Sequence, residues 1–391
     1  MAIGDLLHQT PVTTPDPYTG CPVTRLTPPD HTSHHMYFYN RMVTSDSSRL
    51  LYCAEINGRR NLYLMELATG DAVQLTEGDA LDDYGAMISA DDKSVYYQQD
   101  RKVWKLDLAT LQRTCLYAAP DGWDCGNWGM SDDNRYLVMT ETRRDTLPDL
   151  TGKKGWEFFP LTCAAKPLCH IVYLDTQTGE HHIVVEDRCW FGHAQLRPGD
   201  PDTILFCHEG PYDMIDARLW LIQSDGSRYR CARPQPKDVI ITHEFWMPTG
   251  DRLAYVYRKA DDGSTETIRM MRPETLEEEL FMPCLPYAHF ICDRQRRWFV
   301  GDCQGQETPI HLQTGEGRGQ EVRNDFIYLV DIARKKEIPL CYHGTSWTTI
   351  HGTPQDAHPH PCFTPDGSGV VFTSDREGKP CVYLAKTAGA A

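Results

Sequence analysis

A short phrase recurs along the chain, a polar turn followed by three apolar or aromatic residues. It reads Asp46-Ser-Ser-Arg-Leu-Leu-Tyr52, Asp91-Asp-Lys-Ser-Val-Tyr-Tyr97, Asp132-Asp-Asn-Arg-Tyr-Leu-Val138 and Thr249-Gly-Asp-Arg-Leu-Ala-Tyr255. Looser copies start at Gly199, Asp293 and Asp366, so successive anchors lie 45, 41, 67, 50, 44 and 73 residues apart. A second phrase, strand–turn–strand, follows each first one. Asn61-Leu-Tyr-Leu-Met-Glu-Leu-Ala-Thr-Gly-Asp-Ala-Val-Gln-Leu-Thr76 is the clearest, echoed by Val103-Trp-Lys-Leu-Asp-Leu108 and Ile327-Tyr-Leu-Val-Asp-Ile332. Two hairpins per repeat make a four-stranded antiparallel unit, and repeats of roughly 40–50 residues built this way are propeller blades. The pattern therefore predicts an all-β, seven-bladed β-propeller; a pair of β-sandwiches would require no fixed repeat.

The ends of the chain predict how the ring closes. The last repeat stops at Cys381-Val-Tyr-Leu-Ala-Lys386 and lacks a fourth strand, while Val23-Thr-Arg-Leu-Thr27 echoes the fourth strand Ala72-Val-Gln-Leu-Thr76. Residues 22–28 are expected to complete the last blade, which removes two open sheet edges. The two long intervals mark insertions near 141–168, read as a short helix or lid, and near 303–325, read as a Gly/Gln-rich loop. Neither has the size of a domain, so 1–391 is expected to be a single propeller domain.

Charge narrows the function. The formal net charge is −16. With no basic stripe to pair with phosphates, nucleic acid is excluded as a partner, and an anionic substrate must be drawn in by local positive charge. The fifteen cysteines include no C-x-x-C pair and sit singly inside apolar runs, as expected in a reducing compartment. No stretch reads as a secretory signal or a membrane span. A cytoplasmic protein with no membrane association is expected.

The histidines fall in register with the repeat. His193, His243 and His360 each lie six residues before an anchor, His358 eight before and His289 four before. In a regular strand even offsets share a face, so these imidazoles are expected to converge on one mouth of the central channel. His208 and Arg218, which flank the loop after a second strand, are expected at the same mouth. His34, His35, His181 and His182 read as solvated loop or edge residues. Neutral imidazole suits a divalent transition metal, and Gln355 adds an oxygen donor beside His358 and His360. His193 and His208 are equally readable as ordinary hydrogen-bonded histidines or as substrate-binding residues, and Arg218 as a strap between blades held by Asp216. Glu209 and Glu244 beside these histidines leave open a paired-carboxylate glycoside hydrolase; a non-catalytic protein-binding propeller is the third possibility.

Four motifs in order, Cys207-His-Glu-Gly-Pro211, Asp216-Ala-Arg-Leu-Trp220, Thr242-His-Glu-Phe-Trp246 and Gln355-Asp-Ala-His-Pro-His-Pro361, resemble the oligogalacturonate lyase family. The similarity runs from Thr24 to Asp375. The resemblance implies a cytoplasmic seven-bladed propeller that cleaves short galacturonate oligomers, chiefly unsaturated digalacturonate, by β-elimination to 5-keto-4-deoxyuronate in pectin degradation. It further implies manganese on His289, Gln355, His358 and His360, with His243 as the catalytic base and Arg218 as the catalytic arginine.

Overall fold

The computed structural model describes residues 2–153, 155–259, 266–303, 310–313, 319–348 and 357–387. The turn that opens each repeat has a physical cause. The hydroxyls of Thr44, Ser89, Ser131 and Thr364 donate to the carboxylates of Asp46, Asp91, Asp133 and Asp366 at 2.6–2.7 Å. The backbone N–H groups of Ser48, Arg135 and Ser368 donate to three of those carboxylates. The residue after each aspartate, Ser47, Asp92, Asn134 or Gly367, has φ between 58° and 72°. The chain thus reverses through a left-handed residue, which glycine, asparagine and aspartate tolerate best, and enters an apolar strand.

Seven consecutive antiparallel sheets follow from these turns. The second to sixth have four strands each in the main sheet: Met87–Ile88 through Arg113–Ala118, Trp123–Met130 through His181–Arg188, Phe191–Arg197 through Arg230–Cys231, Val239–Trp246 through Glu278–Pro283, and Tyr287–Cys292 through Lys336–Tyr342. In the first sheet the strands Ser33–His35, Arg49–Ile56, Arg59–Glu66 and Ala72–Gln74 are joined at the edge by Leu6–Leu7. The seventh consists of Cys362–Phe363, Gly369–Ser374 and Cys381–Lys386, then Pro22–Arg25 and Val12–Pro15 from the start of the chain. Val23, Thr24 and Arg25 pair with Ala385, Leu384 and Tyr383. The fold is a seven-bladed β-propeller whose last blade is closed by an N-terminal strand.

Burial along the strands reports their place in a blade. The strands Ser94–Gln99, Phe326–Asp331 and Gly369–Ser374 are buried at every position, because both faces of a middle strand are covered. The fourth strands Arg113–Ala118, His181–Arg188 and Glu278–Pro283 are largely exposed.

Two compact units are distinguishable, one of residues 1–92, 109–111 and 284–391, the other of 93–108 and 112–283. In the first, Val23, Val300, Ile327, Phe372 and Tyr383 form one core cluster. In the second, Val138, Ile171, Phe191, Ile204 and Phe206 form another. Each such side chain contributes roughly 1.5–3 kcal/mol on burial.

Two excursions from the blades carry elements of their own. The first carries a 3-10 turn at Arg144–Thr146 and an α-helix at Phe158–Ala165. The second is not a plain loop: Ile310–Gln313 pairs with Gly319–Val322, since a pairing within the excursion satisfies its own backbone groups. Among the described residues no helix is long and apolar enough to cross a membrane.

Candidate active site and metal centre

The offset of six residues marks a conformation rather than a face. His193, His243 and His360 all have positive φ, 51°, 58° and 46°. Strand pairing shifts register between Gly192 and Gln195 and between Thr242 and Phe245. His193 and His243 therefore sit in β-bulges, and alternation does not carry through a bulge. The expectation that even offsets place all five histidines on one strand face is corrected accordingly. A left-handed non-glycine residue costs of order 1–3 kcal/mol and persists where its surroundings hold it. Each bulge re-aims a side chain that a regular strand would direct elsewhere.

In the unit containing residues 112–283, the bulges organise a buried ionic cluster. Arg218, at the start of Leu219–Gln223, donates from Nε to Glu244 Oε2 at 2.7 Å and from Nη2 to Glu244 Oε1 at 3.2 Å. Its Nη1 and Nη2 reach Glu209 at 3.3 and 3.4 Å. His193 lies across both carboxylates, with Nδ1 2.9 Å from Glu244 and Nε2 3.3 Å from Glu209. Burial raises both glutamates, but the opposing charges of Arg218 and then His193 outweigh it and hold both below the usual carboxylate range. Gly192 makes room for this arrangement: a Cβ there would lie 2.6 Å from Glu209 Cγ. His243, half-buried, directly precedes Glu244.

Arg218 is thus a strap, but its carboxylates are Glu244 and Glu209, not Asp216. Asp216 instead takes His208, whose Nδ1 lies 3.0 Å from Oδ1. His208 stacks on Trp220 with ring centroids 4.5 Å apart and packs beside Phe191 and Phe206. Among the described residues, the side-chain contacts of His208 share no side chain with those of Arg218. His208 and Glu209 are neighbours at a strand end, so their side chains leave on opposite sides; the His208 N–H donates to the Arg218 carbonyl at 3.0 Å, so His208 and Arg218 lie at the same strand end.

In the other unit, His289, His358 and His360 are all buried, and one ring nitrogen of each lies within 4.8 Å of the others. Ring centroids are separated by 4.1 Å for His289–His360 and 5.1 Å for the other two pairs. Burial and then the neighbouring His289 push His358 down to about 3, and the same causes hold His360 well below its ordinary value. Both imidazoles are neutral at physiological pH, the ligating form. Behind His289 stands Asp302, fully buried, with Oδ2 2.9 Å from Nδ1 and Oδ1 accepting the His289 N–H at 2.6 Å. A carboxylate on one ring nitrogen orients the other toward a metal. Trp347 packs at 4.9 Å from His358, and Tyr37 at 5.0 Å from His360. The donor set, imidazoles in an otherwise apolar and aromatic pocket with a carboxylate behind one of them, fits a divalent transition metal. Gln355 lies outside the described residues.

The sequence did not single out Asp302, although an acidic residue ending the apolar strand Trp298–Cys303, opposite His289 in register, is a usable signal. His34 and His35 are buried, contrary to the expectation of solvated edges. His34 stacks on Tyr84 at 4.0 Å, and the ring nitrogens of His35 face the carbonyls of Met36 and Pro359. Their strand, Ser33–His35, begins a blade and is buried at all three positions. His181 and His182 are exposed as expected.

Comparisons with known proteins agree with one another. The family model for oligogalacturonate lyase matches residues 1–390. The chain is 38% identical to the oligogalacturonide lyase of Pectobacterium atrosepticum, covering 99% of this chain and 98% of that one. It is also 38% identical to the oligogalacturonate lyase of Dickeya dadantii, with the same coverage. An oligogalacturonate lyase solved in complex with manganese superposes with a TM-score of 0.89 at 37% identity, over 99% of this chain and 98% of that one. The oligogalacturonate lyase of Vibrio parahaemolyticus gives 0.89 at 36% identity, over 99% of both. On the sequence motifs, the seven-bladed fold and these matches, the chain belongs to the oligogalacturonate lyase family.

Proposed function

We propose that this protein cleaves short oligogalacturonides, chiefly unsaturated digalacturonate, by β-elimination, with manganese as the metal. The observation that carries this reading is the cluster of His289, His358 and His360 with Asp302 behind it. These three histidines would hold the ion, and Gln355 would add an oxygen donor. When bound, the ion supplies Lewis acidity toward a uronate carboxylate.

The remaining work falls to side chains of the chain. Elimination removes the proton at C5, α to the carboxylate, and expels the oxygen at C4. His243 is assigned as the base: its unprotonated ring nitrogen accepts the C5 proton. Arg218 is assigned to the anionic charge that develops, through donors whose direction Glu244 fixes. His193 is assigned to substrate binding beside Arg218. His208, committed to Asp216 and the Trp220 ring, is assigned at most to shaping that site. The paired-carboxylate alternative is not favoured, because Glu209 and Glu244 are both ionised partners of Arg218 and neither is a protonated acid. Fifteen free cysteines support a reducing, cytoplasmic location. A small anionic sugar is the partner, with no role for nucleic acid or membrane.

The test is incubation with unsaturated digalacturonate, with and without a chelator, and identification of the product. A 5-keto-4-deoxyuronate product formed only with metal is expected. Hydrolysis of the glycosidic bond, which releases one galacturonate for each 5-keto-4-deoxyuronate where elimination releases two 5-keto-4-deoxyuronates, would overturn the proposal.

A further inference from the structure

The two ligand histidines His358 and His360 flank Pro359, and the peptide between Pro359 and His360 determines where the His360 ring points. His360 has φ 46°, a conformation that needs support in a non-glycine residue. Pro359 contributes no N–H, so its carbonyl is the one backbone group by which this residue can be held. Two nitrogens meet that oxygen. The N–H of Thr373 donates at 3.0 Å, and His35 Nε2 lies at 3.0 Å. The N–H of His35 donates in turn to Thr373 Oγ1 at 3.3 Å. His35, Thr373 and Pro359 therefore form a closed, buried knot.

The chain beyond His35 continues the same task. Tyr37 and Phe38 place their rings 5.0 and 6.1 Å from His360, and Phe38 also lies 5.6 Å from His289. The second ring nitrogen of His35, Nδ1, is 2.6 Å from the Met36 carbonyl; the neutral imidazole has one N–H, so it donates to one of the two carbonyls at a time. His35 thus spans from the backbone that carries these aromatic rings to the backbone that carries two of the ligands. The histidine trio is built on one segment braced against another, and His35 is the brace.

We propose that His35 is a positioning residue for the metal centre: by donating from Nε2 to the Pro359 carbonyl it fixes the 359–360 peptide and so presents His360 to the ion. This rests on the three-histidine metal reading given above. The two nitrogens of His35 can be tested separately, because a glutamine amide reaches the position of Nε2 and an asparagine amide that of Nδ1.

The experiment is calorimetric titration of Mn2+ into the full chain, freed of metal by chelation, for the wild type, His35→Asn, His35→Gln and His358→Ala. Melting temperatures are measured without metal. Replacement of a residue behind a ligand typically costs 10–100-fold in metal affinity. His35→Asn should therefore bind Mn2+ about 10–100-fold more weakly, while His35→Gln stays within about threefold of wild type and both keep the metal-free melting temperature. Wild-type affinity in His35→Asn, or a tenfold or greater loss in His35→Gln, would overturn the proposal. The second result is decisive even if the asparagine variant does not accumulate. No binding by wild type, or undiminished binding by His358→Ala, would instead sink the three-histidine reading, and this inference with it.

Discussion

Glu244→Gln isolates the buried charge cluster without changing shape. Glu244 is fully buried and takes both the shortest Arg218 contact, 2.7 Å, and the closer His193 contact, 2.9 Å. Removing one partner of a buried ion pair costs about 3–5 kcal/mol, because the other charge stays out of water uncompensated. Glu209 still faces Arg218 at 3.3–3.4 Å, so the lower end, about 3 kcal/mol, is expected. Urea denaturation at pH 7 measures it. The pH profile supplies a second reading. Both glutamates are held below the ordinary value of 4.5, so below that value the unfolded chain binds more protons than the folded one. Their stabilisation is complete above about 4.5 and is lost as pH falls further toward their lowered folded values. The variant should lose stability less steeply in that acid range than wild type. A destabilisation under about 1 kcal/mol at pH 7, with an unchanged acid limb, would refute the argument that Arg218 depends on Glu244.

His243→Ala should lower kcat by about 10²–10⁴-fold while leaving Mn2+ affinity unchanged by calorimetry; near wild-type turnover would remove it as the base. His358→Ala should weaken Mn2+ binding by ~100-fold or more, beyond the loss typical of a residue behind a ligand, and a chelator should then have no further effect on its residual activity. Gly192→Ala should cost about 1–3 kcal/mol in a denaturant melt, because the new methyl meets Glu209 and displaces it from Arg218.

The fold was legible because four of the seven repeats share the same local chemistry at their turn. A hydroxyl two residues ahead of an aspartate, then a residue free to turn left-handed, leaves the same trace in the sequence wherever it occurs. The closing strand was legible for a similar reason, since Val23-Thr-Arg-Leu repeats the pattern of a fourth strand. The site was legible in identity more than in arrangement. His289, His358 and His360 do come together, but the parity argument that grouped them with His193 and His243 assumed unbroken strands. Bulges at His193 and His243, and the left-handed backbone of His360, are set by tertiary surroundings such as Glu209 closing over Gly192. Asp302 was passed over although its place opposite His289 in a hairpin is a usable signal, and His35 was read as solvated because its partner, the Pro359 carbonyl, lies 324 residues away in sequence, which no local pattern records.

The strand exchange that completes the seventh sheet also has a consequence for biosynthesis. Pro22–Arg25 is translated before its partner Cys381–Lys386, with the strands of the other six sheets made between them. Between those moments Pro22–Arg25 can pair with Val12–Pro15 but not with the rest of its sheet. The unit of residues 112–283 draws almost all its contacts from one continuous stretch of chain, whereas the other is assembled from both termini. The first can fold before residues 284–391 are made, and the second is completed only after Cys381–Lys386 has been made. Such a pairing closes a long loop of chain, which costs entropy before the contact is gained, and the His358–His360 segment that leads into this blade is completed late.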